Sequence, residues 1–248
     1  MSKRLKRREM IQKDEFVSVV ETVLGAVERH QKPLLMGVGV VLGLAILAMI
    51  IFSFLRSRGE AADSLLAAAM STLQAPIRAS GEAEPAGDTE SFATIAERDQ
   101  AVLAELQTIT EDYPYTKAAT IAAYLRGTNL LDLKQFDEAR EVLSTFVRDH
   151  TGSPLIPAAR QSLAEATLEA GDTETALDIL TELTENPGLT YPADAALMNL
   201  ARAQEVSGQV KAAMETYRRL TSEHPDSLYS QAAATAISRL TAPGDRSS

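Results

Sequence analysis

Three histidines, His30, His150 and His224, are the side chains of this 248-residue chain best suited to proton transfer near neutral pH or to metal ligation. Metal sites need ligands at short, regular spacing, and nucleophilic catalysis needs a hydroxyl or thiol within reach of a base. Neither pattern occurs. The histidines lie far apart, and there is no HExxH, no paired-histidine spacing and no GxSxG elbow. Cysteine is absent, which removes thiolate nucleophiles, thiolate metal sites and disulfides. "GVGVVLG" (37–43) has the glycines of a phosphate cradle, but it sits inside an apolar run with no strand before it. The 34 Asp and Glu residues spread along polar faces as solvating charge. The expectation is no enzyme: no catalytic residue, no cofactor, no metal and no small-molecule substrate.

The elements that would have to carry any site are helical. Hydrophobic residues make up 45% of the chain, mostly Ala and Leu, while aromatics are 5% and Trp is absent. Small aliphatic residues with few β-branched runs favour closely packed helices over sheets. Charge is divided unevenly. Residues 1–33 hold eight Lys/Arg against five Asp/Glu, and residues 56–248 hold sixteen against twenty-nine. An acidic body of this kind is unsuited to nucleic acid, which recruits clustered positive charge.

"LLMGVGVVLGLAILAMIIFSFL" (34–55) carries no charge over twenty-two residues. As a helix it would be roughly 33 Å long, against ~30 Å of bilayer hydrocarbon. It is too long and too far from the start for a cleaved signal peptide, so a retained transmembrane signal-anchor is expected. The basic arm before it (1–33) outweighs Arg56 and Arg58 behind it. The positive-inside rule therefore puts the N-terminus in the cytoplasm and residues 59–248 outside, in the periplasm of a Gram-negative cell. Within the arm, Phe16, Val20, Val23 and Val27 share one helical face opposite Asp14, Glu21 and Glu28. That face suits either membrane lipid or a partner's membrane helix. Gly39 and Gly43 form a GxxxG, open to a second helix or simply membrane-helix glycine.

The body repeats. "TSEHPDSLYSQAAATAISRL" (221–240) aligns with "TENPGLTYPADAALMNL" (184–200), "RDHTGSPLIPAARQSL" (148–163) and "TEDYPYTKAATIAAYL" (110–125), each step being 37 residues. Ala139, Ala176 and Ala213 keep the same interval, as do the turns "LKQFDEA", "EAGDTETA" and "VSGQVKAA". A constant period of this size predicts a solenoid of helix–turn–helix units that must stack to bury their apolar faces. Asp172 is a candidate N-cap, and Pro225-Asp226-Ser227 reads as a helix stop followed by a new cap. His224 and Tyr229 then read as punctuation between helices. The first unit is irregular. Helices are expected at 59–74 and 91–114, separated by a mobile loop at 75–90 broken by Pro76, Pro85 and Gly87. A single closing helix at 227–241 and a disordered tail at 242–248 complete the chain.

These units resemble tetratricopeptide repeats. Residues 194–227 match that pattern best, through Leu197, Leu200, Ala201, Gly208, Ala213, Tyr217, Leu220 and Pro225. Residues 157–187 match with Ala164, Gly171, Ala176 and Leu180, and residues 120–151 with Gly127, Ala139, Leu143 and Phe146, though Lys134 replaces the turn glycine and Thr151 the proline. With the transmembrane helix expected at 34–55, the resemblance completes an all-α fold: a solenoid of about four hairpins and a capping helix over 59–241. It also implies a concave groove lined by the first helix of each pair. Projected here, the groove residues are Ile121, Tyr124, Thr128 and Leu131, then Gln161, Glu165 and Leu168, then Met198, Arg202 and Glu205. They would hold a protein segment or serve as ordinary exposed helix positions. Glu165 and Glu169 make a carboxylate-gripping clamp unsuitable.

The layout of basic arm, one span and Cys-free acidic repeats resembles the ancillary subunit of the bacterial Sec translocon. That resemblance implies a scaffold on the outer face of the inner membrane, with the translocon and a membrane-anchored periplasmic chaperone as protein partners. An envelope-assembly scaffold, or an adaptor whose repeats face the cytosol, are the alternatives.

Overall fold

Apolar stretches with helical periodicity, interrupted by Gly, Pro and Asp, fold here as successive helices. The computed structural model describes residues 2–78, 91–188 and 190–242, with side chains from residue 36 onward except Val38. The helices are α1 (Ser2–Leu73), α2 (Ile95–Asp112), α3 (Lys117–Asp132), α4 (Phe136–Asp149), α5 (Ile156–Glu169), α6 (Thr173–Glu185), α7 (Ala193–Val206), α8 (Val210–Glu223) and α9 (Ser230–Thr241). Among the described residues there is no strand, only one isolated parallel bridge between Ile77 and Phe92. The chain is all-α. It divides into two compact units, Met1–Ser57 and Arg58–Ser248.

The first unit consists of α1 residues, and Pro33 lies inside that helix. Large side chains from Val40 to Leu55 are half or more exposed. From Gly39 onward α1 is long and apolar enough to cross a membrane, and none of its most apolar stretch is buried.

In the second unit the last turns of α1 set Ala62 and Ala69 against Val102, Leu106 and Ile109 of α2 and Ala118 and Ala122 of α3. Arg58 donates to the carbonyl of Asp112 and lies 5.4 Å from the centre of the Tyr113 ring. From α2 onward each helix packs on its neighbour, and α3–α5 and α5–α7 also touch. This is the connectivity of stacked hairpins with a closing helix. Helices α4, α6 and α8 start at Phe136, Thr173 and Val210, and α5, α7 and α9 at Ile156, Ala193 and Ser230, every step 37 residues. Ala139, Ala176 and Ala213 are fully buried. One turn on, Leu143, Leu180 and Tyr217 fill the layer between hairpins, followed by Phe146, Leu183 and Leu220.

The turn inside each hairpin is one device used three times. Lys134, Gly171 and Gly208 sit at φ 59°, 92° and 75°, and the next residue's N–H reaches back five positions, from Gln135 to the Leu130 carbonyl, from Asp172 to Thr167 and from Gln209 to Gln204. That is a Schellman closure, which satisfies the last carbonyls of the first helix. A lysine in this left-handed region is strained where glycine is not, so Lys134→Gly is expected to stabilise the chain by about 1 kcal/mol. A raised urea midpoint for the full chain in detergent micelles would show it.

Several local expectations change. Helix α2 begins at Ile95 rather than 91, because Ser91–Ala93 run alongside the 76–78 segment: Arg78 N–H donates to the Phe92 carbonyl at 2.8 Å and Phe92 N–H to the Pro76 carbonyl at 3.1 Å. Thr94 caps α2, its Oγ1 accepting from Glu97 N–H while the Glu97 carboxylate accepts from Ala93 N–H. The new cap expected from Pro225-Asp226-Ser227 falls short of the helix. Helix α9 starts at Ser230 with Tyr229 as N-cap and no side-chain cap bond, while Ser227 Oγ accepts from Tyr229 N–H at 3.0 Å and donates to Asp194 at 2.6 Å. Asp172 does cap α6. Of the expected loop at 75–90, residues 79–90 lie outside the described residues, as do residues 243–248 of the expected tail.

Candidate functional site

Helices α3, α5 and α7 touch in succession, so their outward faces make one continuous surface. On α3, Ile121 is exposed, while Tyr124, Thr128 and Leu131 are half-buried. Tyr124 and Leu131 lean on the core around Leu130, Leu143 and Leu163. On α5, Glu165 is exposed, and Gln161 and Leu168 are half-buried. Gln161 is already engaged: Asn199 Nδ2 donates to Tyr191 Oη at 2.8 Å, and Tyr191 Oη donates to Gln161 Oε1. Burial pushes the Tyr191 phenol upward, opposed by the Asn199 bond.

On α7 the three projected residues differ in kind. Met198 is 3% exposed and belongs to the core with Leu197, Ala201 and Tyr217. Arg202 is exposed. Glu205 is fastened, accepting from Arg239 Nη1 at 2.7 Å and from Tyr217 Oη at 3.1 Å. The Arg239 bond holds the Glu205 carboxyl below its ordinary value, and the Tyr217 bond adds to it. These α7 residues line an open cleft of about 450 Å³ together with Ala232, Thr235 and Arg239 of α9.

The α3–α5 portion is acidic. Asp132 ends α3, and Glu165 and Glu169 lie one turn apart on α5. Loss of hydration raises the Asp132 carboxyl, Asp99 adds to the rise and Arg98 opposes it. Glu165 is raised by the same loss of hydration, then by Glu169 and by Asp132. Three carboxylates thus share one stretch of surface and repel one another.

Two further clefts lie beside this face. One of about 580 Å³, lined by Lys117, Thr120, Ile121, Pro154 and Leu155, sits at the start of α3. Another of about 530 Å³ lies among α2, α3 and α4 and includes Arg126, Glu138 and Val142. His150 borders both, as the C-cap of α4 with its ring edge-on to Phe146 at 4.8 Å. His224 is the C-cap of α8 and Tyr229 the N-cap of α9. Among the described residues no group of three or more His, Asp or Glu side chains is arranged to hold a metal ion.

Sequence reasoning missed Asn129, Asp132, Tyr191 and Asn199. Asp132 had a signal, since it follows Thr128 by four residues and so shares its face. Tyr191 had none, because its partners come from different helices.

The comparisons agree with this geometry. A tetratricopeptide-repeat family model matches residues 167–237, and a second tetratricopeptide-repeat model matches residues 124–190. A solved structure from Podosopora anserina, described as a putative kinesin light chain with nearly identical TPR-like repeats, superposes with a TM-score of 0.54 at 17% identity. It covers 72% of this chain and 84% of that one. A single-substitution variant of the same protein gives the same values. No curated protein matches the chain.

Proposed function

We propose that the chain, whose residues 124–237 match tetratricopeptide-repeat models, is a membrane-anchored protein–protein interaction scaffold. The observation that carries the reading is the continuous α3–α5–α7 face, which presents apolar, acidic and basic side chains in succession along stacked hairpins. Such a face suits an extended or helical segment of another protein. The apolar stretch of α1 supplies the anchor. The basic arm before that stretch favours a cytoplasmic N-terminus, with the repeats on the outer face of a bacterial inner membrane. The resemblance in layout to the translocon's ancillary subunit makes the Sec translocon and a membrane-anchored periplasmic chaperone the partners of first choice.

Photocrosslinking in cells tests both halves of this. A photoreactive residue at Tyr124, Thr128, Glu165 or Arg202 is expected to yield discrete adducts that include translocon or chaperone subunits. The same residue at Glu174, on the exposed side of α6, is expected to yield none of them. Adducts at Glu174 equal to those in the groove would remove the groove from the account. In spheroplasts, external protease is expected to digest residues 59–248; protection of that segment would place the repeats in the cytosol and make the chain an adaptor there.

A further inference from the structure

The second unit begins at Arg58, three residues after Leu55 closes the uncharged stretch. Three residues of helix rise only about 4.5 Å. From Arg58 onward α1 runs antiparallel to α2. Pro76 and Arg78 bond to Phe92 at one end, and Arg58 meets Asp112 and Tyr113 at the other. The turn between α2 and α3, Tyr113–Thr116, therefore lies at the end of the repeat domain where the chain arrives from its apolar stretch.

That turn is closed, and it displays a tyrosine. Thr116 donates to the Tyr113 carbonyl through its N–H at 3.3 Å and its Oγ1 at 2.9 Å, and Thr116 Oγ1 accepts from Ala119 N–H at 3.0 Å to cap α3. Pro114 and Tyr115 occupy the two central positions, with Tyr115 at φ 70°. A turn that needs a left-handed residue at its third position ordinarily takes glycine there. Holding a side chain in that region costs about 1–2 kcal/mol. Among the described residues only Lys134 shares the condition, and its Schellman closure accounts for it. The Tyr115 ring recovers nothing within the chain, because it is fully exposed. A strained residue without an internal contact points to something outside the chain.

Two residues on, Lys117 rims the cleft of about 580 Å³ whose apolar wall includes Ile121, Pro154 and Leu155. An exposed ring with a phenol tip, an apolar wall and a long-stemmed lysine suit the boundary between lipid headgroups and acyl chains. Glu111 and Asp112 are exposed at the same turn, so the ring rather than net charge carries the contact. Val206 and Leu228 are also strongly exposed, but they stand in the last hairpin and the turn after it, away from Arg58 along the stack.

We propose that the Tyr113–Thr116 turn docks on the lipid surface itself, with Tyr115 seated in the headgroup layer close to where α1 leaves the bilayer. This rests on the reading of α1 as a membrane anchor and adds a second point of attachment to it. The span holds the chain in the membrane, and the tyrosine restrains the first hairpin against the surface.

The chain contains no tryptophan, so one substitution supplies an unambiguous optical probe. The full-length Tyr115→Trp, Ile46→Trp and Val206→Trp chains are each reconstituted into phosphatidylcholine–phosphatidylglycerol vesicles. The lipids carry bromine either near the headgroup end or near the middle of their acyl chains. Tyr115→Trp is expected to lose about half of its emission to the shallow bromines and much less to the deep ones. Ile46→Trp, in the middle of the span, should show the reverse order. Val206→Trp, at the far end of α7, should be quenched by neither. A fourth probe separates holding from mere nearness: Ile121→Trp is expected to be quenched weakly, and about twofold less once Tyr115→Ser is added. Unaltered quenching in that pair would overturn the proposal, since the ring would restrain nothing. Quenching of Ile46→Trp with none of Tyr115→Trp would also overturn it, leaving the anchor intact and Tyr115 to a protein partner. Equal shallow quenching of Tyr115→Trp and Val206→Trp would do the same, because the stack would then lie on lipid without a preferred turn. Absence of quenching in Ile46→Trp would remove the anchor reading and this proposal with it.

Discussion

Leu143→Ala is expected to lower the unfolding free energy by about 2–5 kcal/mol, the usual range for emptying a buried leucine site. Leu143 is fully buried between the second and third hairpins, and its side chain occupies the space in front of Gly127. A methyl group on Gly127 would lie 2.5 Å from Leu143 Cγ and Cδ2. Gly127→Ala alone is therefore expected to cost about 1–3 kcal/mol through overpacking, even after the helix-propensity gain of up to about 1 kcal/mol. In the Leu143→Ala background the same methyl enters vacated volume, so the double variant should be more stable than the sum of the single losses allows. Urea titrations of the four chains supply the cycle. Strict additivity would mean that α3 and α4 do not meet at this point.

Tyr217→Ala should cost about 3–5 kcal/mol, comparable with other buried aromatic truncations. Its ring is 1% exposed and packs among Leu197, Ala201, Ala233 and Ala236, holding α7, α8 and α9 together. Tyr217→Phe keeps the ring and loses only the bond to Glu205, so about 1 kcal/mol is expected. The two substitutions separate packing from polarity. The Tyr217–Glu205 pair also shapes two limbs of the pH profile. Burial, and then the bond to Glu205, push the Tyr217 phenol up to about 12. A raised folded value contributes stability that is complete below the ordinary tyrosine value of 10.0 and is lost as pH climbs towards about 12. That alkaline fall should be shallower in Tyr217→Phe. Glu205 has the opposite sign. Its carboxyl is held below the ordinary 4.5, first by Arg239, so its contribution is present above that value and disappears as pH falls through the lower folded one. Glu205→Gln should flatten this acid limb relative to wild type, as read from thermal midpoints across the pH range. Equal acid limbs in the two chains would show that the clamp on α9 is absent in solution.

What the sequence discloses about this fold is its period, because the period is written in residues whose role is steric. Ala139, Ala176 and Ala213 are small because another helix touches them, and Gly171 and Gly208 recur because the turn needs a left-handed residue. Lys134 shows the limit of that logic, since the turn survives there without its glycine. The capping box at Thr94 and Glu97 was legible as T-x-x-E, but the apolar pattern extends upstream and hides where α2 begins. The candidate site is less legible for a different reason. A helix face can be projected from spacing, which places Tyr124, Thr128 and Glu165 on the groove. Depth cannot, and Met198, equivalent in spacing, belongs to the core. Cross-hairpin bonds such as Ser227 to Asp194, Thr190 to the Pro154 carbonyl and Asn199 to Tyr191 depend on how repeats stack, and no local pattern announces them.

The two short backbone bonds between Pro76–Arg78 and Phe92 bring the chain back to where it left. Because departure and return share one anchorage, the stretch between Arg78 and Ser91 can be lengthened without pulling α1 or α2 out of register. The entropic penalty of a longer detour grows only logarithmically, about 0.6 kcal/mol per doubling. A reporter domain spliced into that stretch should ride on the stack as a passenger, leaving the hairpins to bear the load.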